Sequence, residues 1–368
     1  MAEPVAARPF LGIFGLILLA IAALFAIDML LARSERTESA AEAARVFQQG
    51  TALMQQSRNG EAIEKFQDAI AIERGNRDYR RSLAQAQFAA GKAADAESTL
   101  TELLQQDSTD GPASLIMGRA LARQGRFAEA ISYFHRAIYG QWTTDAAGNR
   151  LRTRFELIDL LAGSDSREEL LAELLPVEER APGDLQTRVR IGRLFLRAGA
   201  PARAADEFRG ALQDAPDSAD ARSGLGEAEF AQGNYRAAQR DFAAALRLEH
   251  GDATARERLD LCNELLALDP TLRGLGPVER SHRSLALLQL TRDETSQCAG
   301  PNPSPELKEL LDRAAGELKA RVSAAREDEV YETNLTLSEQ LWKSRRSQCR
   351  SPVVSQSPLA LVQAKLAE

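Results

Sequence analysis

Two pairs of arginines are the residues in this sequence whose type and spacing are best suited to binding chemistry. Arg119 and Arg123 form one pair, Arg193 and Arg197 form the other, and each pair lies in a stretch that reads as an amphipathic helix. Because residues four positions apart share one face of a helix, the two guanidinium groups of a pair project together. A planar guanidinium binds a carboxylate through two hydrogen bonds. Each pair therefore has the geometry to hold an acidic side chain or a terminal carboxylate.

Catalytic and metal-binding patterns are missing from the sequence. The three histidines, His135, His250 and His282, lie in unrelated contexts, and no two of them have the spacing of metal ligands. No CxxC motif, phosphate-binding loop, dinucleotide fingerprint or Gly-x-Ser-x-Gly elbow occurs. We therefore expect a protein that is not an enzyme, with no catalytic residue, no cofactor and no bound metal.

Two of the three cysteines are candidates for a disulfide bond. Cys298 ends one predicted helix, and Cys349 ends another, two helices further on. If the three helices run up, down and up, both cysteines reach the same end, and a bond between them would indicate an oxidising compartment such as a periplasm. The alternative is that the second and third helices are one, since no Gly or Pro separates them. Cys349 would then be out of reach.

Composition and charge restrict the class of protein. The 368 residues carry a net charge of −7, with 44% apolar, 27% charged and 5% aromatic residues. Alanine, leucine, glutamine, glutamate and arginine dominate, and β-branched residues are sparse. This composition is typical of an all-α protein because unbranched side chains lose little rotamer freedom in a helix. The acidic balance argues against general nucleic-acid binding, which needs clustered lysine and arginine.

An apolar segment near the start of the sequence predicts a membrane anchor. Residues from Phe10 to Ile27 include no charge and no proline, and the apolar residues up to Ala32 extend the stretch to the ~20 residues that a bilayer core requires. A cleaved signal peptide would have a shorter apolar core and a small-x-small cleavage site. We therefore predict a transmembrane helix over 10–32, between a tail at 1–9 and a charged connector at 33–42.

The orientation of this predicted anchor depends on other evidence. The basic residues on its two sides are nearly balanced, so the positive-inside rule does not decide between the two orientations. With the predicted disulfide, we expect a single-pass inner (cytoplasmic) membrane protein with its soluble domain in the periplasm.

The arginine pairs lie within a repeated helical pattern. Residues from Leu185 to Ser218 read as two short amphipathic helices joined by a turn, and the same apolar and small residues recur every 34 residues, with one slip in phase. A fixed period of this length is the signature of a helical solenoid. The repeats and a final half-unit begin at Ala43, Arg77, Gly111, Leu151, Leu185, Ala219 and Ala253.

The pattern within each unit resembles that of tetratricopeptide repeats. The eighth, twentieth and twenty-seventh positions are small and the twenty-fourth is large and apolar, as in Gly192, Ala204, Ala211 and Phe208. Small residues let the two helices of a repeat approach closely, and the large residue fills the gap to the next repeat. The resemblance implies a right-handed superhelical solenoid over 43–268, with about six repeats and a capping helix from Ala253.

In tetratricopeptide repeats, the first helix of each unit lines a concave, ligand-binding groove. The resemblance therefore implies a basic stripe that receives acidic protein or peptide partners, formed by Arg119, Arg123, Arg152, Arg190, Arg193 and Arg197. The alternative is a solvated face that Asp159 and Glu227 partly neutralise. The lysine-and-asparagine clamp of chaperone-binding members is absent at the matching positions, which argues against that class of partner.

The slip in phase is an insertion of six residues, 145–150, between the third and fourth repeats. We expect these residues to form a loop next to Trp142. Insertions in solenoids map to loops on one face, so Trp142 is a candidate contact with a partner. The alternative is that Trp142 fills the widened joint between the two halves of the solenoid, because large aromatic side chains are usually buried.

Beyond the repeats the period is lost. A linker at 269–277 leads to a C-terminal helical region at 278–349, which we predict to be a hairpin or bundle of three helices. The remaining residues, 350–368, read as a tail in which Leu359–Leu366 has a helical pattern.

Three functions are compatible with the sequence. The first is a membrane-anchored scaffold or adaptor that binds partner peptides in the groove, with the N-terminal helix in the membrane. The second is a regulator or assembly factor of a bacterial envelope pathway, such as secretion, polysaccharide or lipopolysaccharide assembly. The third, which the absence of motifs makes the least favoured, is an enzyme with its active site in the C-terminal region.

Overall fold

The computed structural model describes residues 8–164, 166–179, 181, 183–320, 327–348 and 357–367, without the side chains of 8–17, 20, 21, 327 and 348. Over these ranges the regular structure is α-helical, apart from one isolated β-bridge between Asp110 and Gln141. The prediction of an all-α protein is confirmed. The chain divides into two units, 1–166 and 167–368.

The described helices follow one another with short connections. The first unit contains α1 (Arg8–Gln55), α2 (Asn59–Ile72), α3 (Arg77–Ala89), α4 (Ala93–Gln106), α5 (Gly111–Arg123), α6 (Phe127–Tyr139) and α7 (Ala146–Ala162). The second unit contains α8 (Arg167–Glu178), α9 (Leu185–Arg197), α10 (Pro201–Asp214), α11 (Ala219–Ala231), α12 (Tyr235–Leu248), α13 (Ala253–Leu268), α14 (Pro277–Ala299), α15 (Pro305–Lys319), α16 (Glu327–Gln348) and α17 (Pro358–Leu366).

The 34-residue period sets where the first helix of a repeat begins. Helices α3, α5, α9, α11 and α13 each follow a polar residue whose side chain accepts a hydrogen bond from a backbone N–H in the first turn. Such a cap stabilises a helix by about 1 kcal/mol, because it satisfies an N–H that has no partner within the helix. The five capping residues are Asn76, Asp110, Asp184, Ser218 and Asp252.

The turn between the two helices of a repeat depends on a left-handed residue. Gly125 (φ 77°) and Gly199 (φ 73°) adopt this conformation after α5 and α9. Glycine has no Cβ to clash there, so it can end a helix and start the next one a few residues later. Ser57 (φ 59°) takes the same place in the first repeat.

Close helix packing within each repeat explains the small residues of the pattern. A Cβ atom on Gly192 of α9 would lie 2.8 Å from Cζ of Phe208 on α10, so only glycine admits the ring at this distance. Phe208, Ala204 and Ala211 are completely buried. The pattern that resembled tetratricopeptide repeats is therefore a packing requirement between paired helices.

The first helices of successive repeats lie side by side. Within the first unit α1 contacts α3 and α3 contacts α5, and within the second unit α9 contacts α11. Five second helices each pack between the first helix of their own repeat and that of the next one; they are α2, α4, α6, α10 and α12. The first helices of each unit thus form a continuous face, which we call the first-helix surface of that unit.

The predicted membrane anchor is not supported. α1 is one helix that includes the segments we predicted as anchor and connector and the first helix of the first repeat. Its described side chains up to Ala32 are apolar apart from Asp28, and charged residues become frequent from Arg33 onward. In the ranges that the structure describes, no helix is both long and apolar enough to cross a membrane.

The six-residue insertion is helical, which corrects the predicted loop. Asp145 (φ 41°) caps α7 by accepting a hydrogen bond from the N–H of Gly148, and Ala146–Arg150 form the first turns of that helix. The insertion therefore lengthens the first helix of the fourth repeat at its N-terminal end. A polar residue followed by two alanines favours this start, because it combines a cap with a strong helix former.

Helices α14 and α16 pack against each other in parallel. Asn334 donates a 3.0 Å hydrogen bond to Oγ of Ser284 near their N-terminal ends, and Arg345 lies 3.4 Å from Glu294 near their C-terminal ends. The helix between them, α15, packs on both and covers buried residues such as Leu288 and Leu341.

The segment predicted as a tail includes a buried helix. Leu359 and Val362 of α17 are 4% and 1% exposed, and they pack with Leu265 of α13 and Trp342 of α16. α17 therefore closes the apolar face that α13 would otherwise expose at the end of the repeats. The helical pattern predicted at Leu359–Leu366 matches α17, and the repeat pattern does not reveal the partner that its apolar residues pack against.

Candidate functional site

Arginines of the first-helix surface in the first unit bridge neighbouring repeats. Arg119 of α5 donates to both carboxylate oxygens of Glu156 on α7, from Nε at 2.7 Å and from Nη2 at 2.5 Å. About a third of each side chain is exposed (32% and 35%). The carboxylate that we predicted a ligand would supply is thus already supplied by the next repeat.

Arg123 lies one turn further along α5 and reaches the opposite way. Its Nη1 donates a 2.8 Å hydrogen bond to the backbone carbonyl of Phe88 on α3, and its guanidinium lies 3.9 Å from the centroid of the Phe88 ring. This is cation–π geometry, which attracts a cation to the face of an aromatic ring. Arg119 and Arg123 therefore share a helix but contact different neighbouring repeats.

Arg152 belongs to the start of α7. Its Nη2 atom donates to Oδ2 of Asp145 at 3.0 Å and to Oδ1 of Asn149 at 2.8 Å. Both acceptors come from the insertion, and the Arg152 and Asp145 side chains are 65% and 59% exposed. This arginine therefore contacts the insertion.

In the second unit the predicted arginines lie on α9. Nη2 of Arg193 donates to Oδ1 of Asp220 on α11 at 2.7 Å, with the two side chains 57% and 71% exposed. Arg190 is exposed and is also engaged. Arg197 is exposed and makes no hydrogen bond or ion pair with any residue in the described ranges. Its donors are available to a ligand.

One of the two acidic residues expected to neutralise the stripe, Glu227, pairs with an arginine outside it. Glu227 of α11 accepts from Nε of Arg258 on α13 at 2.9 Å, so it joins a repeat-to-repeat ion pair of its own. Asp159 is also engaged. Two carboxylates that pair with predicted arginines on a neighbouring repeat, Glu156 and Asp220, were missed. The signal that could have found them is an acidic residue on the first helix of the following repeat.

Aromatic and aliphatic side chains lie partly exposed beside these arginines. Leu115, one turn before Arg119, and Phe88 are half-buried in the first unit. In the second unit Phe230 is half-buried, with the guanidinium of Arg258 5.2 Å from its ring centroid. Each first-helix surface therefore combines apolar contact area with guanidinium groups, a combination that is enriched at protein interfaces.

Trp142 packs into the joint after α6. Its indole N–H donates a 2.8 Å hydrogen bond to the carbonyl of Ala137, and a Cβ on Gly111 would lie 2.6 Å from its Nε1. The backbone of the preceding residue, Gln141, bonds to Thr109 and Gly111 on both sides of the α5 cap. These contacts favour the alternative in which Trp142 fills the joint.

A second group of ion pairs lies at the start of the first helices in the first unit. Arg77 donates to Asp107 at 2.8 Å, and Arg81 donates to Asp110 at 3.2 Å. Hydrogen bonds from the Thr109 hydroxyl and from Arg77, with a further one from the Thr109 backbone, lower the pKa of Asp107 to about 2. Asp110 also caps α5, so this group joins the end of one repeat to the start of the next.

The two described cysteines, Cys262 and Cys298, differ in oxidation state. Cys298 is disulfide-bonded, whereas Cys262 is free and buried, and burial raises the pKa of its thiol to about 11. Cys349 lies outside the described residues, so its pairing with Cys298 stays a prediction. Within the described ranges, no group of three or more His, Cys, Asp or Glu residues could hold a metal ion.

Comparison with known proteins identifies the repeats. A family described as tetratricopeptide repeat matches residues 53–113, 87–155 and 195–258. The chain therefore carries tetratricopeptide repeats in both of its units, and the paired helices and their small-to-large contacts agree with this family. No curated protein is similar enough to match the chain.

Several solved structures are similar to the chain. One is YrrB, described as a TPR protein with an unusual peptide-binding site, at 18% identity over 52% of this chain and 96% of that one, with a TM-score of 0.44. Another is the C-terminal part of a TPR repeat-containing protein from Cytophaga hutchinsonii, at 16% identity over 66% and 95% of the two chains, with a TM-score of 0.47. A third, yeast Sti1 in a complex named TPR2AB-domain:pHSP90, is 15% identical over 83% and 99%, with a TM-score of 0.30.

Proposed function

We propose that this protein is a protein–protein interaction adaptor whose first-helix surfaces bind peptide segments of a partner. The observation that carries the proposal is that the first helices of each unit lie side by side and expose guanidinium groups next to half-buried apolar residues. Helical repeat proteins use such extended surfaces to bind their partners. The tetratricopeptide repeats themselves support the same class of function.

The second unit supplies the best-placed contact for an acidic partner. Arg197 has its donors available, and Arg193, one turn before it, shares an exposed ion pair with Asp220. An ion pair this exposed contributes little to stability, so a carboxylate of the partner can replace Asp220 at small cost. We therefore assign the acidic end of the partner peptide to the Arg193 and Arg197 pair.

The first unit offers a different contact. The stacked pair of Arg123 and Phe88 presents a flat cationic and aromatic surface, and Leu115 extends it along α5. Arg119 is held in two hydrogen bonds by Glu156, which leaves few of its donors for a ligand. We propose that this unit binds apolar side chains of a partner, with Arg123 at the edge of the contact.

Charge reversal tests the proposal. We expect Arg197→Glu to reduce capture of a crosslinked partner from cell extracts by at least about tenfold, since it removes charge-assisted hydrogen bonds of about 1.5–3 kcal/mol and adds repulsion. The matched control is Arg247→Glu on α12, an exposed arginine on a second helix. Equal capture by wild type and Arg197→Glu, or equal loss in both variants, would contradict the proposal.

Arg193 needs a different variant because it already forms an ion pair with Asp220 of the same protein. Arg193→Glu alone would place two carboxylates together and disturb the contact between α9 and α11. The exchange of both residues, Arg193→Asp with Asp220→Arg, keeps an ion pair between the helices while it moves the positive charge. We expect this variant to fold as wild type does and to lose part of the partner binding.

The state of Cys298 favours an oxidising compartment. A disulfide-bonded cysteine is typical of secreted, periplasmic or surface proteins, because cytosolic thiols are kept reduced. We propose a location on the oxidising side of a cell membrane, which is where an assembly factor of an envelope pathway would act. A fusion of alkaline phosphatase to the chain, which folds actively only where disulfides form, tests this location. The proposed location is wrong if the phosphatase fusion is inactive while a second fusion at the same position, to a reporter that works only in the cytosol, is active.

A further inference from the structure

A cavity of about 360 Å³ lies in the second unit between the last complete repeat and the helices that follow it. It is separate from the first-helix surface, because its main wall is α12, the second helix of its repeat. Three arginines, one glutamine and two leucines line it: Arg236, Gln239, Arg240, Leu266, Leu272 and Arg283.

Two of the arginines lie one turn apart on α12. Arg236 and Arg240 are exposed and share a helix face, so their guanidinium groups project together. Arg236 makes one 3.3 Å hydrogen bond, to the carbonyl of Arg273. Arg240 makes no hydrogen bond or ion pair with any described residue, although its charge acts on the adjacent Asp241, which pairs with Arg222 at 3.3 Å. Most of their donors are therefore available.

The third arginine is held rigidly on α14. Nε of Arg283 donates to Glu279 at 2.6 Å, and its Nη1 donates to the carbonyls of Leu266 and Asp269. Its side chain is only 18% exposed, and its Nη2 makes no hydrogen bond with the described residues. A guanidinium fixed in this way loses little further freedom when it binds an anion.

The acidic groups nearby are already neutralised. Glu279 pairs with Arg283, and Asp269 pairs with Lys365 at 2.5 Å. The cavity therefore has an excess of positive charge, with apolar walls at Leu266 and Leu272. Planar guanidinium groups bind tetrahedral and planar oxyanions through paired hydrogen bonds, and Arg is favoured wherever phosphate is recognised.

We propose that this cavity binds a doubly charged phosphate group of a small molecule. Arg236 and Arg240 donate to it from α12, Nη2 of Arg283 donates from α14, and Leu266 and Leu272 contact the apolar part of the molecule. This site is independent of the peptide contact on the first-helix surface, so either proposal can fail without the other.

Isothermal titration calorimetry with inorganic phosphate and with phenyl phosphate tests the proposal on the full chain. We expect both probes to bind with saturation, and phenyl phosphate to bind more tightly because its ring contacts the leucines. Arg240→Gln is expected to weaken both by about tenfold or more, since it removes charge-assisted hydrogen bonds. Arg247→Gln, an exposed arginine further along the same helix, is the matched control and should bind as wild type does.

The pH dependence of binding is a second test, because pH changes the charge of the phosphate probe. The second pKa of a phosphate monoester is about 6, whereas arginine stays protonated, so affinity should rise between about pH 5 and pH 7.5. Equal circular dichroism and thermal unfolding of all variants establish that they fold. Absence of saturable binding, equal weakening by Arg247→Gln, or an affinity that does not change with pH would each overturn the site. If inorganic phosphate and phenyl phosphate bind with equal affinity, the proposed contact between the leucines and an apolar group is wrong. The site would then be one for free inorganic phosphate.

Discussion

Arg119 and Glu156 join two neighbouring repeats through a pair of parallel hydrogen bonds of 2.7 and 2.5 Å. The donor lies on the first helix of the third repeat, and the acceptor lies 37 residues later on the first helix of the fourth. The pair therefore sets the spacing between first helices on the face that we assign to partner binding. Arg193 and Asp220 make the corresponding contact in the second unit.

The Arg119–Glu156 pair should contribute modestly to stability. Because about a third of each side chain is exposed, we expect Arg119→Ala and Glu156→Ala to reduce the free energy of unfolding by about 0.5–1 kcal/mol each. Urea unfolding of both single variants and the double variant measures the coupling between them. A coupling energy of zero would contradict a structural role for the pair.

Gly192 should not tolerate even a methyl group. In Gly192→Ala the new Cβ would lie 2.8 Å from the buried ring of Phe208, so we expect a loss of about 1–3 kcal/mol of stability. Gly316→Ala is the control, because Gly316 is exposed on α15 and its Cβ would have no neighbour within 4 Å. That change should stabilise the protein by about 0.5–1 kcal/mol, as alanine favours a helix. If the thermal unfolding temperature shifts in the same direction in Gly192→Ala and Gly316→Ala, the close contact is refuted.

Lys365 should hold α17 in place. Its Nζ lies 2.5 Å from the buried carboxylate of Asp269, which also accepts hydrogen bonds from Thr271. We expect Lys365→Met to reduce stability by about 1–2 kcal/mol, because it leaves a buried charge without its cation. Lys308→Met, at an exposed position of α15, should have an effect near zero. Limited proteolysis near α17 measures the release of the helix when Lys365→Met is compared with wild type and with Lys308→Met.

Asp107 should make the first unit sensitive to acid. Hydrogen bonds from Thr109 and Arg77 lower its pKa in the folded protein to about 2, below its ordinary value of 3.8. A carboxyl group with a lowered pKa stabilises the folded state above its ordinary pKa, and this contribution disappears as the pH falls toward about 2. Wild type should therefore exceed Asp107→Asn in stability at pH 5, with the difference shrinking between about pH 4 and pH 2. A difference that stays constant over this range would exclude the pKa shift as its cause.

Thiol counting should distinguish the cysteines. If Cys298 pairs with Cys349, alkylation of the unfolded, unreduced protein modifies Cys262 alone, and reductant then exposes the other two. Asn334 lies 50 positions after its partner Ser284, and Cys349 lies at a similar separation after Cys298, as expected for two parallel helices in register. Modification of all three cysteines before reduction, read by mass spectrometry, would disprove the pair.

The repeat architecture could be predicted from the sequence because its signals are local and periodic. A cap such as Asp184, a left-handed glycine such as Gly199 and a small residue opposite Phe208 recur in one register, and each has a single structural meaning. Helices begin at Arg77 and Gly111, where the pattern places the start of a repeat. The family match then confirms the repeats.

The contacts of the arginines and the closing helix could not be predicted in the same way. Whether Arg119 is free depends on the distance between α5 and α7, which the sequence does not state. The burial of Leu359 depends on an apolar face of α13 that only the folded unit presents. The insertion at 145–150 was misjudged because Gly148 and Asn149 favour a loop, although the cap at Asp145 favours a helix.

The position of α17 has a consequence for the order of biosynthesis. Within each unit the described helices of the repeats pack mainly on the helices next to them, so they can pair one after another as the chain leaves the ribosome. The apolar faces of α13, α14 and α16 must wait, because the helix that covers them is translated about ninety residues after α13. During that interval the nascent chain exposes the apolar face of α13, including Leu265, and we expect it to be most prone to aggregation at that stage.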